Sequence, residues 1–270
     1  MNNSVPKYKL ALLQMCVEGG NPQKNLAEAG KLIAQAAESG ANVVLLPEMM
    51  DLGWTHPSVL TQAQSISDGE TSRLLSRLAR QYGLYICAGL SEIESGIIYN
   101  AAVLIDPAGE IILKHRKINE LDIGRPFYSP GDRLNVCRTP LGTFGLMICA
   151  DAAAGGQVLS RSLALMGADI ILSPCAWAVP ASHDNEAEPY GQEWLSAYQP
   201  VARDFSVWIA GCSYVGRLDA GPWQGWNAIG CSLVVDPRGE VAIKGSYGET
   251  ASEILYVDIR KEISLPYKCE

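Results

Sequence analysis

Three reactive side chains in this 270-residue chain follow short apolar stretches of the kind that form buried strands. Glu48 comes after Val43–Leu46 and Pro47. A carboxylate beside that much apolar surface suits a general base, and the same position suits a helix cap or a salt-bridged acid. Cys149 ends the stretch Phe144–Ile148 and precedes the small residues Ala150 and Ala152. A thiol at a strand-to-helix turn is accessible and gains from nearby backbone N–H groups, whereas the common fate of cysteine is to be buried and inert. Lys117 closes the stretch from Ile111, with Lys114, His115 and Arg116 beside it. A run of cations reads first as a solvated face. In an extended segment, however, Lys117 and His115 share one side while Arg116 and Ile118 share the other. Periodicity does not say which side faces a site.

The elements that must position these groups occur twice. Gly40–Glu48 matches Gly167–Cys175, Ala79–Ile86 matches Ala202–Ile209, and Val103–Glu110 matches Leu233–Glu240. The three pairs are collinear and offset by about half the chain, which points to two similar half-folds. In each half an opening strand (Lys9–Gln14 or Phe144–Ile148) leads to a helix. The helices are residues 24–38, stopped by Gly40, and 157–166. A buried strand ending at proline follows (Val43–Leu46 or Ile170–Leu172), then a second helix and a third strand (Leu84–Ala88 or Val207–Ala210). Two strands joined by Asp-Pro-x-Gly-Glu close each half, with Pro and Gly placed for a tight turn. This order predicts a mixed sheet with helices on one face. The other face of each sheet is also apolar, so two sheets stack as helix, sheet, sheet, helix. The expected fold class is α/β, a four-layer αββα sandwich with residues 1–270 as a single domain. Residues 176–200 read as a long irregular excursion and 261–270 as an exposed tail.

Taken together, Leu45–Met49, His115–Ile118 and Met147–Asp151 resemble the nitrilase superfamily of carbon–nitrogen hydrolases. Pro130–Asp132, Asn100 and Gly230 are lesser matches in the same order. The resemblance covers nearly the whole chain and implies the same αββα fold. It implies a Glu–Lys–Cys triad of Glu48, Lys117 and Cys149, no cofactor, no metal, and association into homo-oligomers. Two departures stand out. The aromatic–Pro–Glu stretch that many members carry after the nucleophile is here Asp151–Gly156. Where many have a second glutamate, about seven residues past the lysine, this chain has Gly124, and Glu120 is the nearby acid that would take its place.

On that resemblance, Glu48 takes the thiol proton of Cys149, and sulfur attacks an amide-type carbonyl. Lys117 and the backbone N–H of Ala150 stabilise the oxyanion, and water hydrolyses the resulting thioester. The expected substrate is a small amide or N-carbamoyl compound. The alternatives are a nitrilase acting on a C≡N bond and an inactive scaffold member. Trp54, Cys175, Ala176 and Trp177 are substrate-binding candidates, with Cys175 the repeat partner of Glu48. His183, Glu193, Tyr198 and Asn227 are weaker ones. Trp177, Tyr190, Trp194, Trp223 and Trp226 suit a pocket wall or an oligomer contact.

Composition bounds the partners. Net charge is −8, from 29 acids against 21 bases, and no basic run exists, so nucleic acid and anionic membranes lack an electrostatic driver. No apolar run approaches the roughly 20 residues of a membrane span, and the opening residues lack a signal-peptide core. Eight cysteines without C-x-x-C spacing and only three histidines argue for thiols and against structural zinc. The expected compartment is the cytoplasm. A redox-sensing role lacks a paired-cysteine motif.

Overall fold

Each half of the chain builds the body of one six-stranded sheet, and the first half's sheet is completed by a strand from the second. The computed structural model describes residues 7–260; the expected tail at 261–270 lies outside them. The first half runs β1 (Lys7–Gln14), α1 (Pro22–Glu38), β2 (Val43–Leu45), α2 (Val59–Gln62), α3 (Glu70–Tyr82), β3 (Tyr85–Glu94), β4 (Ile97–Ile105) and β5 (Ile111–Arg116). The second runs β6 (Val136–Thr139), β7 (Gly142–Leu146), α4 (Val158–Leu165), β8 (Ile170–Cys175), β9 (Ala178–Val179), α5 (Gln192–Phe205), β10 (Trp208–Ser213), β11 (Val215–Arg217), β12 (Asn227–Ile229), β13 (Leu233–Val235), β14 (Val241–Lys244) and β15 (Glu253–Arg260).

The strand orders are β15-β1-β2-β3-β4-β5 and β14-β13-β10-β8-β7-β6. In both sheets the opening, second and third strands pair in parallel, β1-β2-β3 and β7-β8-β10, and the closing hairpin adds antiparallel. The repeat is therefore structural as well as sequential. The closing turns are built alike. Asp106 Oδ1 accepts from the N–H groups of Ala108 and Glu110, and Asp236 Oδ1 from those of Arg238 and Glu240, all at 2.9 Å. The edge strands differ in origin. β15 comes from the far end of the chain to pair with β1, whereas β6 forms a hairpin with β7. A small third sheet, β11-β12-β9, lies outside the duplication.

Alternation along the strands decides the layering. Leu10, Leu12, Val43, Leu45, Cys87 and Leu104 face the second sheet, in one apolar cluster with Phe144, Leu172 and Ile209. Their neighbours Ala11, Leu13, Val44, Ala88 and Val103 face α1 and α3. Helix α1 starts because the Asn21 side chain caps the Lys24 N–H at 3.3 Å and Pro22 opens the first turn. It turns Leu26, Ala29, Leu32, Ile33 and Ala36 inward. On the other side of the sandwich, α4 and α5 pack against the second sheet. The layers are thus helix, sheet, sheet, helix.

The stretch expected to be irregular from 176 to 200 is only partly so. β9 forms at its start and α5 begins at Gln192. Pro200 sits inside α5. It costs one intrahelical bond, and burial of Trp194, Ala197, Tyr198, Val201 and Ala202 holds the helix regardless. No helix among the described residues is long and apolar enough to cross a membrane.

Candidate active site

Glu48, Lys117 and Cys149 lie on the wall of one cavity of about 210 Å³. Glu48 is brought there by the turn after β2. Its N–H donates to the carbonyl of Cys175 at 3.2 Å, so the two repeat partners are joined across the sheets. The turn seats against Gly89 of β3, where a Cβ would stand 2.5 Å from the Glu48 Cα and 2.9 Å from the Pro174 Cβ. Any side chain at 89 would push the carboxylate out of place.

Lys117 follows β5 and is only 1% exposed, so the run of cations is not a solvated face. Its neighbours divide as alternation required. Arg116 and Lys114 turn to Glu92, at 2.7 Å each, while His115 is buried with Lys117. The Lys117 Nζ donates to Glu48 Oε1 at 2.8 Å and lies 5.4 Å from the Trp54 ring. Burial opposes its charge, but the neighbouring carboxyl groups, Glu48 first and then Glu120, outweigh that and raise its pKa. Lys117 stays an ammonium. Glu48 Oε1 accepts a second bond, from Asn100 Nδ2 at 2.6 Å. The other oxygen, Oε2, is buried without a protein partner.

Cys149 opens a single 3₁₀ turn, Cys149–Ala153, which Met147 and Ile148 join to the end of β7. Its φ is +45°, a left-handed conformation that side chains other than glycine seldom adopt. Its N–H donates to Ser173 Oγ at 3.1 Å. Burial pushes the thiol well above its ordinary range, and Cys175 and Glu48 push it further against the pull of Lys117. At neutral pH this sulfur therefore holds its proton and needs a base to take it.

Asp151 fastens the turn that carries Cys149 to the lysine segment. Its Oδ2 bonds His115 Nε2 at 2.8 Å and the Ile148 N–H at 2.9 Å; its Oδ1 accepts the N–H groups of Ile118 at 3.0 Å and Asn119 at 2.7 Å. Asn119 returns a bond to the Ala150 carbonyl at 2.7 Å. Burial works against the Asp151 charge, yet His115 and the backbone donors hold its carboxyl below the usual range. Such a group adds stability that is full above the unfolded-chain value of roughly 3.9 and is lost as pH falls below it. Asp151→Ala is expected to cost about 3–5 kcal/mol of folding free energy at pH 7, read from urea unfolding. A loss under about 1 kcal/mol would mean that the two segments hold their places without it.

Glu120 is also buried, its Oε2 3.8 Å from Lys117 Nζ. A Cβ at Gly124 would meet that same oxygen at 2.7 Å, so the Glu120 carboxyl occupies the space that a side chain at 124 would need. Burial, opposed by Lys117, pushes it up to about 7.

Trp54, Ala176 and Trp177 line the cavity, together with Tyr190, Glu193, Trp194 and Trp223. Cys175 is not on the wall: it is fully buried, 3.5 Å from Ser173 Oγ and 3.7 Å from the Tyr198 hydroxyl. Being the last residue of β8 points it inward behind Cys149 rather than toward the opening. Tyr198 is likewise buried off the wall, and Trp226 stacks on Trp223 from outside it. The residues that sequence reasoning missed are Asp151 and Ser173 as anchors and Gly89 as the seat. Only Asp151 had a signal, an acid two residues past the thiol. Among the described residues no group of three or more His, Cys, Asp or Glu side chains is placed to hold a metal ion.

The carbon–nitrogen hydrolase family model matches residues 9–265. A nitrilase of Pyrococcus abyssi is 34% identical over 256 residues, covering 93% of this chain and 90% of the relative. The omega-amidase NIT2-B of Xenopus laevis is 32% identical over 276 residues, covering 98% and 91%. The crystal structure of Saccharomyces cerevisiae Nit3, a member of branch 10 of the nitrilase superfamily, superposes with a TM-score of 0.80 at 26% identity, over 94% of this chain and 90% of that one. The duplicated sandwich and the three wall residues thus come with similarity along nearly the full length, and the chain belongs to the carbon–nitrogen hydrolase family, within the nitrilase superfamily.

Proposed function

We propose that the protein hydrolyses the C–N bond of a small amide or N-carbamoyl compound through a thioester on Cys149. The observation that carries this reading is the division of labour on one carboxylate. Glu48 Oε1 is held by Lys117 and Asn100, and Oε2 is left buried without a protein donor. That oxygen accepts the Cys149 proton as sulfur adds to the carbonyl carbon. The oxyanion is met by the Lys117 ammonium and by the Ala150 N–H, which lies in the first turn of a helix and so has no intrahelical acceptor. Collapse expels the amine with the proton from Glu48 and leaves the thioester. Water then adds, Glu48 takes its proton and returns it to the leaving sulfur, and the acid departs. Glu120 keeps Lys117 in position from the far side, in the role that the absent second glutamate would fill. The substrate binds against Trp54, Ala176 and Trp177. Similarity to an omega-amidase supports amides, and similarity to a nitrilase keeps the C≡N alternative in the test.

In this reading residues 1–270 form one domain, supported by a family match over 9–265. The cytoplasm is the proposed compartment, in keeping with the thiol state of all seven described cysteines. A homo-oligomer is proposed as well. Val158, Leu165 and Met166 at α4 are exposed apolar groups that association would cover.

The test is ammonia release from small amides, N-carbamoyl compounds and matched nitriles. Amides or carbamoyl compounds are expected to exceed nitriles by about 100-fold or more in kcat/KM, since each 1.4 kcal/mol of transition-state preference is tenfold. Faster turnover of nitriles would favour the nitrilase alternative, and no turnover of any class the inactive scaffold.

A further inference from the structure

The pocket beside the triad is unusual in its charges. Its walls carry four indole rings, of Trp54, Trp177, Trp194 and Trp223. Trp177 and Trp194 stack at 4.8 Å, and Trp194 Nε1 donates to the Tyr190 hydroxyl at 2.9 Å, so this aromatic wall is fixed in place. Two charged wall residues, Glu48 and Lys117, are paired with each other. The remaining one is Glu193, which is exposed and, among the described residues, forms no ion pair. The chain leading into it carries Asp184, Glu186 and Glu188, all exposed, and no Lys or Arg occurs between Arg161 and Arg203. Among the described residues one cation from elsewhere hydrogen-bonds to this segment: Lys244 Nζ donates to the Tyr190 carbonyl at 3.0 Å and is not on the wall. The Nε1–H groups of Trp54 and Trp177 are buried without protein acceptors. They can meet a neutral carbonyl oxygen, but they carry no net charge to offset the acids.

Aromatic faces attract cations through the ring quadrupole, and the Glu193 carboxylate at the rim, close to the Tyr190 hydroxyl but without an ion-pair partner among the described residues, adds to that pull. A carboxylate-bearing acyl group would find, among the described wall residues, no cation other than Lys117, which Glu48 already holds, and would be repelled by Glu193. We infer that the pocket selects amides whose acyl chain ends in a positive charge, an ω-ammonium alkylamide being the simplest, and discriminates against ω-carboxylate amides. This selection rests on the amidase reading given above, and its test separates the two.

The probes are 6-aminohexanamide, heptanamide and the monoamide of adipic acid, which are matched in length and differ in terminal charge. Binding to the Cys149→Ala protein, read by quenching of the pocket tryptophans, is expected to be about 10-fold tighter for the ammonium than for the neutral amide, and weaker still for the carboxylate. Raising the salt to 0.5 M should narrow the spread. Glu193→Gln should cut the ammonium-to-neutral ratio about 5-fold, and Glu193→Lys should reverse the order of the two charged probes. Equal binding of all three, tightest binding of the carboxylate, no saturable quenching by any probe, or a ratio untouched by Glu193→Gln would overturn the inference. Ammonia release by the unmodified protein reports on the chemistry separately. Binding in the expected order without ammonia release would leave the charge selection standing and sink the hydrolase reading. Turnover of all three at one rate would do the opposite.

Discussion

Cys149→Ala is expected to lower kcat by about 10⁵–10⁶-fold, the scale seen when the nucleophile of a concerted catalytic set is removed. The remaining groups have nothing to deliver. Lys117 and the Ala150 N–H can polarise a carbonyl, but without sulfur no covalent intermediate forms. Folding should survive. The residue is small and 6% exposed, and alanine meets the same backbone strain at a φ of +45° as cysteine does. The unfolding free energy should therefore change by no more than about 1 kcal/mol. A variant that keeps more than about a tenth of the activity would place the nucleophile elsewhere. The exposed Cys16 would then be the first thiol to examine.

Glu48→Gln is expected to be nearly as damaging, for a different reason. The amide keeps the carboxylate's shape, and its oxygen can still accept from Lys117 and Asn100. What it loses is the ability to take a proton. Since the Cys149 thiol is held protonated by its burial, both formation and hydrolysis of the thioester lose their base. A drop in kcat of about 10⁴-fold is expected, the upper end for a single general base. This variant should also be less stable, by about 3–5 kcal/mol, because Lys117 is left as a buried ammonium with only Glu120 nearby at 3.8 Å. Urea unfolding and the assay, run on the same sample below its transition, separate the two effects. Full activity in Glu48→Gln would remove this carboxylate from the chemistry.

Much of the frame was legible because it was written twice. Matching Gly40–Glu48 to Gly167–Cys175 identified β2 and β8 as equivalent strands, and the hydrogen bond from Glu48 to Cys175 is the physical meeting of those repeats. The closing turns were legible for a similar reason, since Asp-Pro-x-Gly carries its own hydrogen bonds. What could not be read depends on contacts distant in sequence. No local pattern assigns β15 to β1, because that pairing joins opposite ends of the chain. The burial of Lys117 was hidden by its cationic neighbours. Alternation correctly separated His115 and Lys117 from Arg116, but only Glu92 and Asp151, from other elements, decide which side is inside. Cys175 was expected beside the substrate because its repeat partner is. Yet Glu48 has left its strand through a turn, whereas Cys175 is still in β8 and faces the core. The first part of helix α5 fell inside the stretch 176–200 that reads as irregular; its buried face, which also outweighs the hydrogen bond lost at Pro200, is what makes it helical.

The acyl-enzyme is the most direct witness to the whole account. A reaction with a turned-over amide, quenched in acid during steady state and measured by intact-protein and peptide mass spectrometry, should show the mass of the acyl group added to the peptide containing Cys149. It should be absent from Cys149→Ala. Steady turnover with no adduct, or with the adduct on another cysteine, would contradict a thioester at Cys149 and the mechanism built on it.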